Sequence, residues 1–270
     1  MWVHRPSPWL APFVSSIGCA ETASLPGREV ALPTGTVQLL VNLDRDELGS
    51  YPVDGGPPTI TGGAAVNGPH DRPVLIDPAD QRRIVWIAFR VGGSYPFLPA
   101  DAADLRSSLV DLDDLWGRRA GALLRERLLS AATPAALFTE VEVALFECAR
   151  RPLEKDAAVA TAAADLHRGA TVAEAADRLG WTPRRLGREF AERIGLAPKR
   201  FARVRRFQRV VRVAAGVGLP DWARIAVEHG YHDQAHLIHD FRSLAATTPG
   251  AYRPRSPAEP NHVPVSTIAR

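Results

Sequence analysis

The chain has 270 residues, enough for two domains with an ample core. Its 46% hydrophobic and 23% charged content is that of a globular protein, and no apolar run reaches the length of a membrane span. The formal net charge of +3 hides an uneven split: residues 1–150 carry 13 basic and 18 acidic side chains, residues 151–270 carry 20 and 12. Only the back half is suited to a polyanion.

Residues 1–100 are rich in glycine and proline, with short apolar runs between. The start is polar and broken by proline, which predicts no signal peptide. Val37–Leu43 and Ile84–Val91 predict strands, with Thr59–Val66 as a weaker third. Pro33, Gly35, Pro52, Gly55, Gly56, Pro57 and Pro58 punctuate turns. This predicts a β-rich module. Trp86, Phe89, Tyr95 and Phe97 are the candidate lining of a small-molecule pocket, with core packing as the plainer alternative. Trp116 is weighed in the same way.

From residue 101 the pattern turns helical. Leu105–Leu109, Trp116–Leu129 and Leu137–Ala149 predict helices, the last capped by Thr133 with Pro134 at its first position. Ser15-Ser16 and Asp113-Asp114 are expected to be turn and helix-start residues. Pro152, within 150–156, marks the expected domain junction, and a fragment from Asp156 is expected to fold and bind DNA alone.

The sequence favours no enzyme. Only His4 and His70 lie in the front half, and neither sits in a spaced metal-ligand motif. No glycine-rich phosphate loop or nucleophile elbow is present. The two cysteines, Cys19 and Cys148, make no disulfide framework and imply a reducing, cytoplasmic setting. No cofactor is expected.

In the back half one pattern occurs twice, about fifty residues apart: Ala176, Gly180, Trp181, Leu186, Phe190, then Ala226, Gly230, Tyr231, Leu237, Phe241. Each copy predicts a short helix, a glycine turn and a second helix. Thr171, Thr182, Asp221 and Asp233 are placed to cap the four helices. On the helix after Thr182, Leu186, Phe190 and Ile194 share one face, while Arg184, Gly187 and Arg188 share the other. Glu192, four residues beyond Arg188, is its candidate ion-pair partner. In the second copy the outward face holds Ala235, Ile238, His239 and Arg242, with His236 at its flank. Between the copies Pro198 opens a long helix, with Lys199, Arg200, Arg203, Arg205, Arg206, Arg209 and Arg212 assigned to its outer face.

The run from Ile225 to Arg253 (IAVEHGYHDQAHLIHDFRSLAATTPGAYR) resembles the signature of AraC-type transcriptional regulators, the AraC/XylS family. The matching positions are Ile225-Ala226, Gly230-Tyr231, Ala235-His236-Leu237, Phe241-Arg242, Thr248-Pro249 and Tyr252-Arg253. Two residues depart from it: His239 stands where the family has arginine, and Ala246 where it has glycine, the latter expected to matter only for packing. The front half resembles the uncharacterised sensor-like domain of some actinobacterial members, through Leu32-Pro33-Thr34-Gly35, Phe89–Leu98 (FRVGGSYPFL) and Leu112–Gly117 (LDDLWG). The DNA-repair methyltransferases that carry an AraC-like module need more cysteines than this chain has.

The resemblance implies an α+β chain: a β-rich sensor-like domain with a helical end over 1–150, a double helix-turn-helix domain over 156–255, and a disordered tail over 256–270. It implies base reading by Arg184, Gly187 and Arg188 in the first unit and by Ala235, His236, Ile238 and His239 in the second, with Arg185 and Arg242 as further DNA-binding residues. Arginine would meet guanine edges, and the apolar residues thymine methyls, at sites about 34 Å apart. The implied partners are double-stranded DNA, RNA polymerase, a small-molecule effector and a second copy of the chain, with no membrane. The alternative from another class is a small-molecule-binding or metal-dependent enzyme with a vestigial DNA-binding module.

Overall fold

Along Arg83–Phe89 the side chains alternate in burial, and this period of two sets the front half of the molecule. Val85, Ile87 and Phe89 enter a core built with helices on one side of a sheet. Ile84 and Trp86 face the opposite side, where a second sheet lies across a cavity. The computed structural model describes residues 1–21, 27–216 and 220–267.

The strands, in chain order, are β1 (Trp2–His4), β2 (Val14–Glu21), β3 (Glu29–Ala31), β4 (Gln38–Asn42), β5 (Glu47–Pro52), β6 (Thr59–Gly62), β7 (Ala64–Asn67), β8 (Val74–Ile76), β9 (Arg83–Phe89), β10 (Leu109–Asp111) and β11 (His262–Pro264). The first sheet has the order β1-β2-β9-β4-β7-β10, the second β11-β3-β8-β5-β6. Every pairing is antiparallel, and among the described residues no ladder joins the two sheets.

The helices are α1 (Leu112–Trp116), α2 (Ala120–Ser130), α3 (Pro134–Glu147), α4 (Ala157–Arg168), α5 (Val172–Arg178), α6 (Pro183–Arg193), α7 (Pro198–Ala215), α8 (Trp222–Glu228) and α9 (Gln234–Ala245). Helices α1–α3 cover the outer face of the first sheet, where Leu112, Leu124, Leu128, Phe138, Val141 and Leu145 meet Leu39, Val66, Val85 and Ile87. The fold is thus a β-rich half with trailing helices, followed by a helical half whose two helix-turn-helix units are joined by α7.

Several local expectations change. Thr59–Val66 is two strands, β6 and β7, in different sheets. The expected helix at Leu105–Leu109 is a turn that ends in β10, since Leu109 pairs with Asn67. The expected helix over Trp116–Leu129 is broken at Gly117–Arg119, where Arg119 is left-handed (φ 66°). Ser15 and Ser16 are not a turn: they lie in β2, at a shift in its register with β9. Asp113 and Asp114 do open a helix, in the first turn of α1.

The tail is the largest departure. Residues 256–267 are not disordered: β11 pairs antiparallel with β3, so the chain leaves the second unit and returns to the front half. Val263 is buried there with Val30 and Leu32, in the same core as Phe201, Phe207 and Phe241 of the helical half. The two halves therefore share one core across the 150–156 junction. Residues 268–270 of the expected tail lie outside the described residues.

Helix α9 ends at Ala246, which is left-handed (φ 52°, ψ 21°). That conformation crowds a Cβ against the backbone and is one that glycine adopts without penalty. The alanine here is a backbone cost and not the packing detail expected from sequence. Ala246→Gly is expected to stabilise the protein by about 1 kcal/mol, read as a higher midpoint in denaturant unfolding.

Candidate nucleic-acid interface

Each unit is built by local chemistry that the sequence carries openly. The Thr171 hydroxyl accepts from the Glu174 N–H at 3.2 Å, and the Glu174 carboxylate accepts from the Thr171 N–H at 2.8 Å, closing a capping box at the start of α5. Gly180 and Gly230 take the left-handed conformation at the two turns (φ 63° and 77°). The Thr182 hydroxyl accepts from the Arg185 N–H, and Pro183 opens α6. In the second unit Asp221 accepts from the Arg224 N–H and Asp233 from the His236 N–H at 2.7 Å.

Leu186 and Phe190 are fully buried and anchor α6, with Phe190 edge-on to Phe201 of α7. This leaves Arg184, Arg185 and Arg188 exposed on the other side, around the half-buried Gly187. Among the described residues Arg184 has no ion-pair partner. The Arg185 guanidinium lies over the Trp181 ring at 4.4 Å, which fixes it at the edge of the face. Arg188 is 70% exposed and pairs with Glu189 at 3.2 Å, not with Glu192. Glu192 instead accepts a 2.6 Å hydrogen bond from the Tyr95 hydroxyl of the front half.

The second unit presents a weaker face. Ala235, His239 and Arg242 are exposed, and Ile238 is half-buried. His236 is turned back into the protein: its Nε2 lies 3.1 Å from Arg206 of α7, and its ring packs edge-on against Tyr231. The recognition set inferred from sequence therefore splits, with His236 engaged in holding α9 to α7.

The basic face expected on α7 is mostly used up in the same way. Arg203 and Arg206 bind Asp240 of α9 at 2.7 and 3.1 Å. Arg200 binds Asp71 of the front half at 2.5 Å. Arg205 donates to the Thr34 carbonyl, and Arg209 to the carbonyls of His167 and His229. Burial, with neighbouring arginines, lowers the affinity of Arg205 and Arg209 for their protons. Only Lys199 and Arg212 remain exposed and without a partner among the described residues. A helical wheel cannot show this, because the partners lie far away in sequence.

A helix-turn-helix domain model matches residues 175–255, and a model for a domain of unknown function, DUF6597, matches residues 3–111. Residues 175–255 form an AraC-type helix-turn-helix domain. The chain is a DNA-binding transcription regulator with a DUF6597 domain in front. Similar solved structures include three of ToxT from Vibrio cholerae. One is 13% identical over 87% of this chain and 96% of that chain, with a TM-score of 0.49. One, bound to (E)-4-(8-methylnaphthalen-1-yl)but-3-enoic acid, is 14% identical over 87% and 97%, with a TM-score of 0.49. One, bound to an unsaturated fatty acid, is 12% identical over 87% and 93%, with a TM-score of 0.47. No curated protein matches the chain.

The regulator's front half holds a cavity of about 450 Å³ between its two sheets. Of the five aromatic residues weighed for a pocket, only Trp86 lines it, while Trp116 packs against the core on the other face and donates its indole N–H to the Phe97 carbonyl at 2.8 Å. Phe89 and Phe97 are buried 5.8 Å apart in the core on the other face of the first sheet. Tyr95 lies at the junction of the halves, with the Arg151 and Arg193 guanidinium groups over its ring at 4.1 and 4.3 Å. The parity of β9 carries the signal: residues 86 and 89 must face opposite sides. The cavity wall that sequence reasoning missed includes Gln38, Asn67 and His70, and also Arg255, Glu259 and Asn261 from the returning tail. His70 Nε2 lies 2.7 Å from the Asn67 side-chain oxygen, and burial holds the His70 pKa down at about 4, so the ring is neutral. Among the described residues no cluster of three metal-ligating side chains occurs, and no helix is long and apolar enough to cross a membrane.

Proposed function

We propose that the regulator reads specific DNA sequences in the major groove, chiefly through its first unit, and that a small molecule held between the sheets of the front half controls it. The observation that carries the first part is the face of α6. Arg184 and Arg188 stand exposed around Gly187, on a helix held from behind by Leu186 and Phe190. The second unit offers Ala235, Ile238, His239 and Arg242, while its His236 is engaged inside the protein.

The control reading rests on connection. Pro33 and Thr34 line the cavity, and their carbonyls accept hydrogen bonds from Gln208 and Arg205 of the connecting helix. A change at the cavity wall therefore acts on the helix that holds the two units.

Arg188→Ala tests the reading mode. A bidentate arginine–guanine pair supplies roughly 1–3 kcal/mol of discrimination. Binding to upstream DNA and to a scrambled site, at two salt concentrations, should show preference relaxed at one base pair with little change on the scrambled DNA. Equal losses on both, with a salt slope lower by about one, would make Arg188 a phosphate contact. Substituting an operator base by base should likewise show stronger discrimination in the half-site of the first unit. Equal discrimination in both half-sites would count against the ranking of the units.

A further inference from the structure

We infer that the inter-sheet cavity takes an uncharged, largely apolar ligand with a few hydrogen-bonding groups, and that the returning C-terminal segment forms one of its walls. This rests on the reading of the cavity as the control site.

The volume, about 450 Å³, is that of a small-molecule site. Its apolar surface is concentrated on the inner faces of the sheets, with Leu40, Ile84, Trp86 and Leu109 on one side and Val74 and Ile76 on the other. The indole of Trp86 offers a flat surface for an aromatic or alicyclic skeleton.

The charged side chains around the cavity are already engaged with one another. Arg255 lies in the wall, and its guanidinium donates to both Glu29 and Glu259, with Nε 2.9 Å from Glu259 and Nη1 3.1 Å from Glu29. His262, also in the wall, sets its Nδ1 3.3 Å from the same Glu29 carboxylate. His70 is neutral and bonded to Asn67. Among the described residues an anionic ligand would find no unpaired cationic side chain in the wall, and Met1, which also lines it, is 68% exposed and keeps its ammonium in water. A cationic one would find Glu259 already held by Arg255. Either ion would leave water without a partner, and the lost hydration weakens its binding. What remains is a set of groups that suit neutral donors and acceptors: the amides of Gln38, Asn67 and Asn261 and the hydroxyls of Thr36 and Ser50.

The wall that closes the site comes from beyond the DNA-binding domain. Asn261 lines the cavity, and its side-chain oxygen accepts from Gln208 of α7 at 2.8 Å. The Asn261 carbonyl accepts from the Leu32 N–H, and β11 follows directly. A ligand against this wall touches the segment that ties the second unit to the front half.

Two dyes with one skeleton test the charge rule in the full chain: neutral N-phenyl-1-naphthylamine and its sulfonated counterpart, 8-anilino-1-naphthalenesulfonate. Fluorescence titration at pH 7.5 should show the neutral dye binding at least about tenfold more tightly. Leu40→Trp and Ser50→Phe, which fill the cavity, should each abolish binding of the neutral dye while thermal unfolding remains cooperative. Phe146→Ala, on the exposed face of α3, should leave it unchanged. Gln38→Arg, which adds an unmatched cation to the wall, should bring the sulfonate's affinity up toward that of the neutral dye. Equal binding of both dyes to the wild type, lost in Leu40→Trp, would overturn the charge rule and leave the control site standing. So would a sulfonate affinity unmoved by Gln38→Arg. No binding of either dye, or neutral-dye binding that survives both filling variants or vanishes in Phe146→Ala, would overturn the control site itself.

Discussion

Gly195→Ala should detach the first helix-turn-helix unit from the front half and destabilise the protein by about 2–5 kcal/mol. Gly195 closes α6 with φ 82°, and its N–H donates to the Phe190 carbonyl at 2.8 Å. A Cβ in that conformation carries a penalty of roughly 1–2 kcal/mol. It would also fall 2.3 Å from the Ala102 carbonyl oxygen and 2.5 Å from the Pro69 ring. The Ala102 backbone cannot swing aside as a side chain would, because its N–H is bonded to the Glu192 carbonyl at 2.8 Å. Overpacking against a fixed wall adds roughly another 1–3 kcal/mol. The contacts that would part are the Tyr95–Glu192 hydrogen bond and the stacking of Arg193 on Tyr95. Thermal unfolding should show an earlier transition, and an unchanged midpoint would refute this account of the junction. DNA binding by the variant tells whether docking restrains the first unit or supports it.

What could be read from sequence was what neighbours in the chain decide. The caps at Thr133, Thr171, Thr182, Asp221 and Asp233 lie within three residues of the N–H groups they accept from, so their spacing is visible in a single string of letters. The apolar stripes of α6 and α9 follow in the same way. The front half was harder because its pairings are distant: β2 joins β9 across more than sixty residues, and β3 joins both β8 and β11. Three-residue strands such as β1, β3, β8 and β11 carry too few positions to show a period. The ordered tail was missed because it is short of apolar residues and holds Pro257 and Pro260. Its anchors, Glu29 for Arg255 and Gln208 for Asn261, lie more than two hundred and about fifty residues away. Of the DNA-reading set, exposure of the arginines on α6 follows from the helical wheel alone. The engagement of His236 depends on Arg206, thirty residues earlier, and could not be read.

The same distance effect hid a buried joint between α7 and α9, and Asp240→Ala should expose it. Asp240 is buried at 2% exposure between Arg203, 2.7 Å away, and Arg206, 3.1 Å away. Arg206 also lies over the Tyr231 ring at 4.4 Å and meets His236, so one carboxylate gathers α7, the turn of the second unit and the start of α9. Removing one partner of a buried pair costs about 3–5 kcal/mol when the survivors stay buried. Here Arg203 and Arg206 keep 35% and 25% of their surface in water and can turn outward, so roughly 2–3 kcal/mol is expected. Arg203→Ala should cost less, because Arg206 still neutralises Asp240. This makes Arg203 a joint in the fold, although its place on the outer face of a basic helix also suits a DNA phosphate. The two roles separate in one comparison. If Arg203→Ala lowers the unfolding midpoint and leaves the salt slope of DNA binding unchanged, the joint is its role; a slope smaller by about one at unchanged stability would return it to the phosphate backbone.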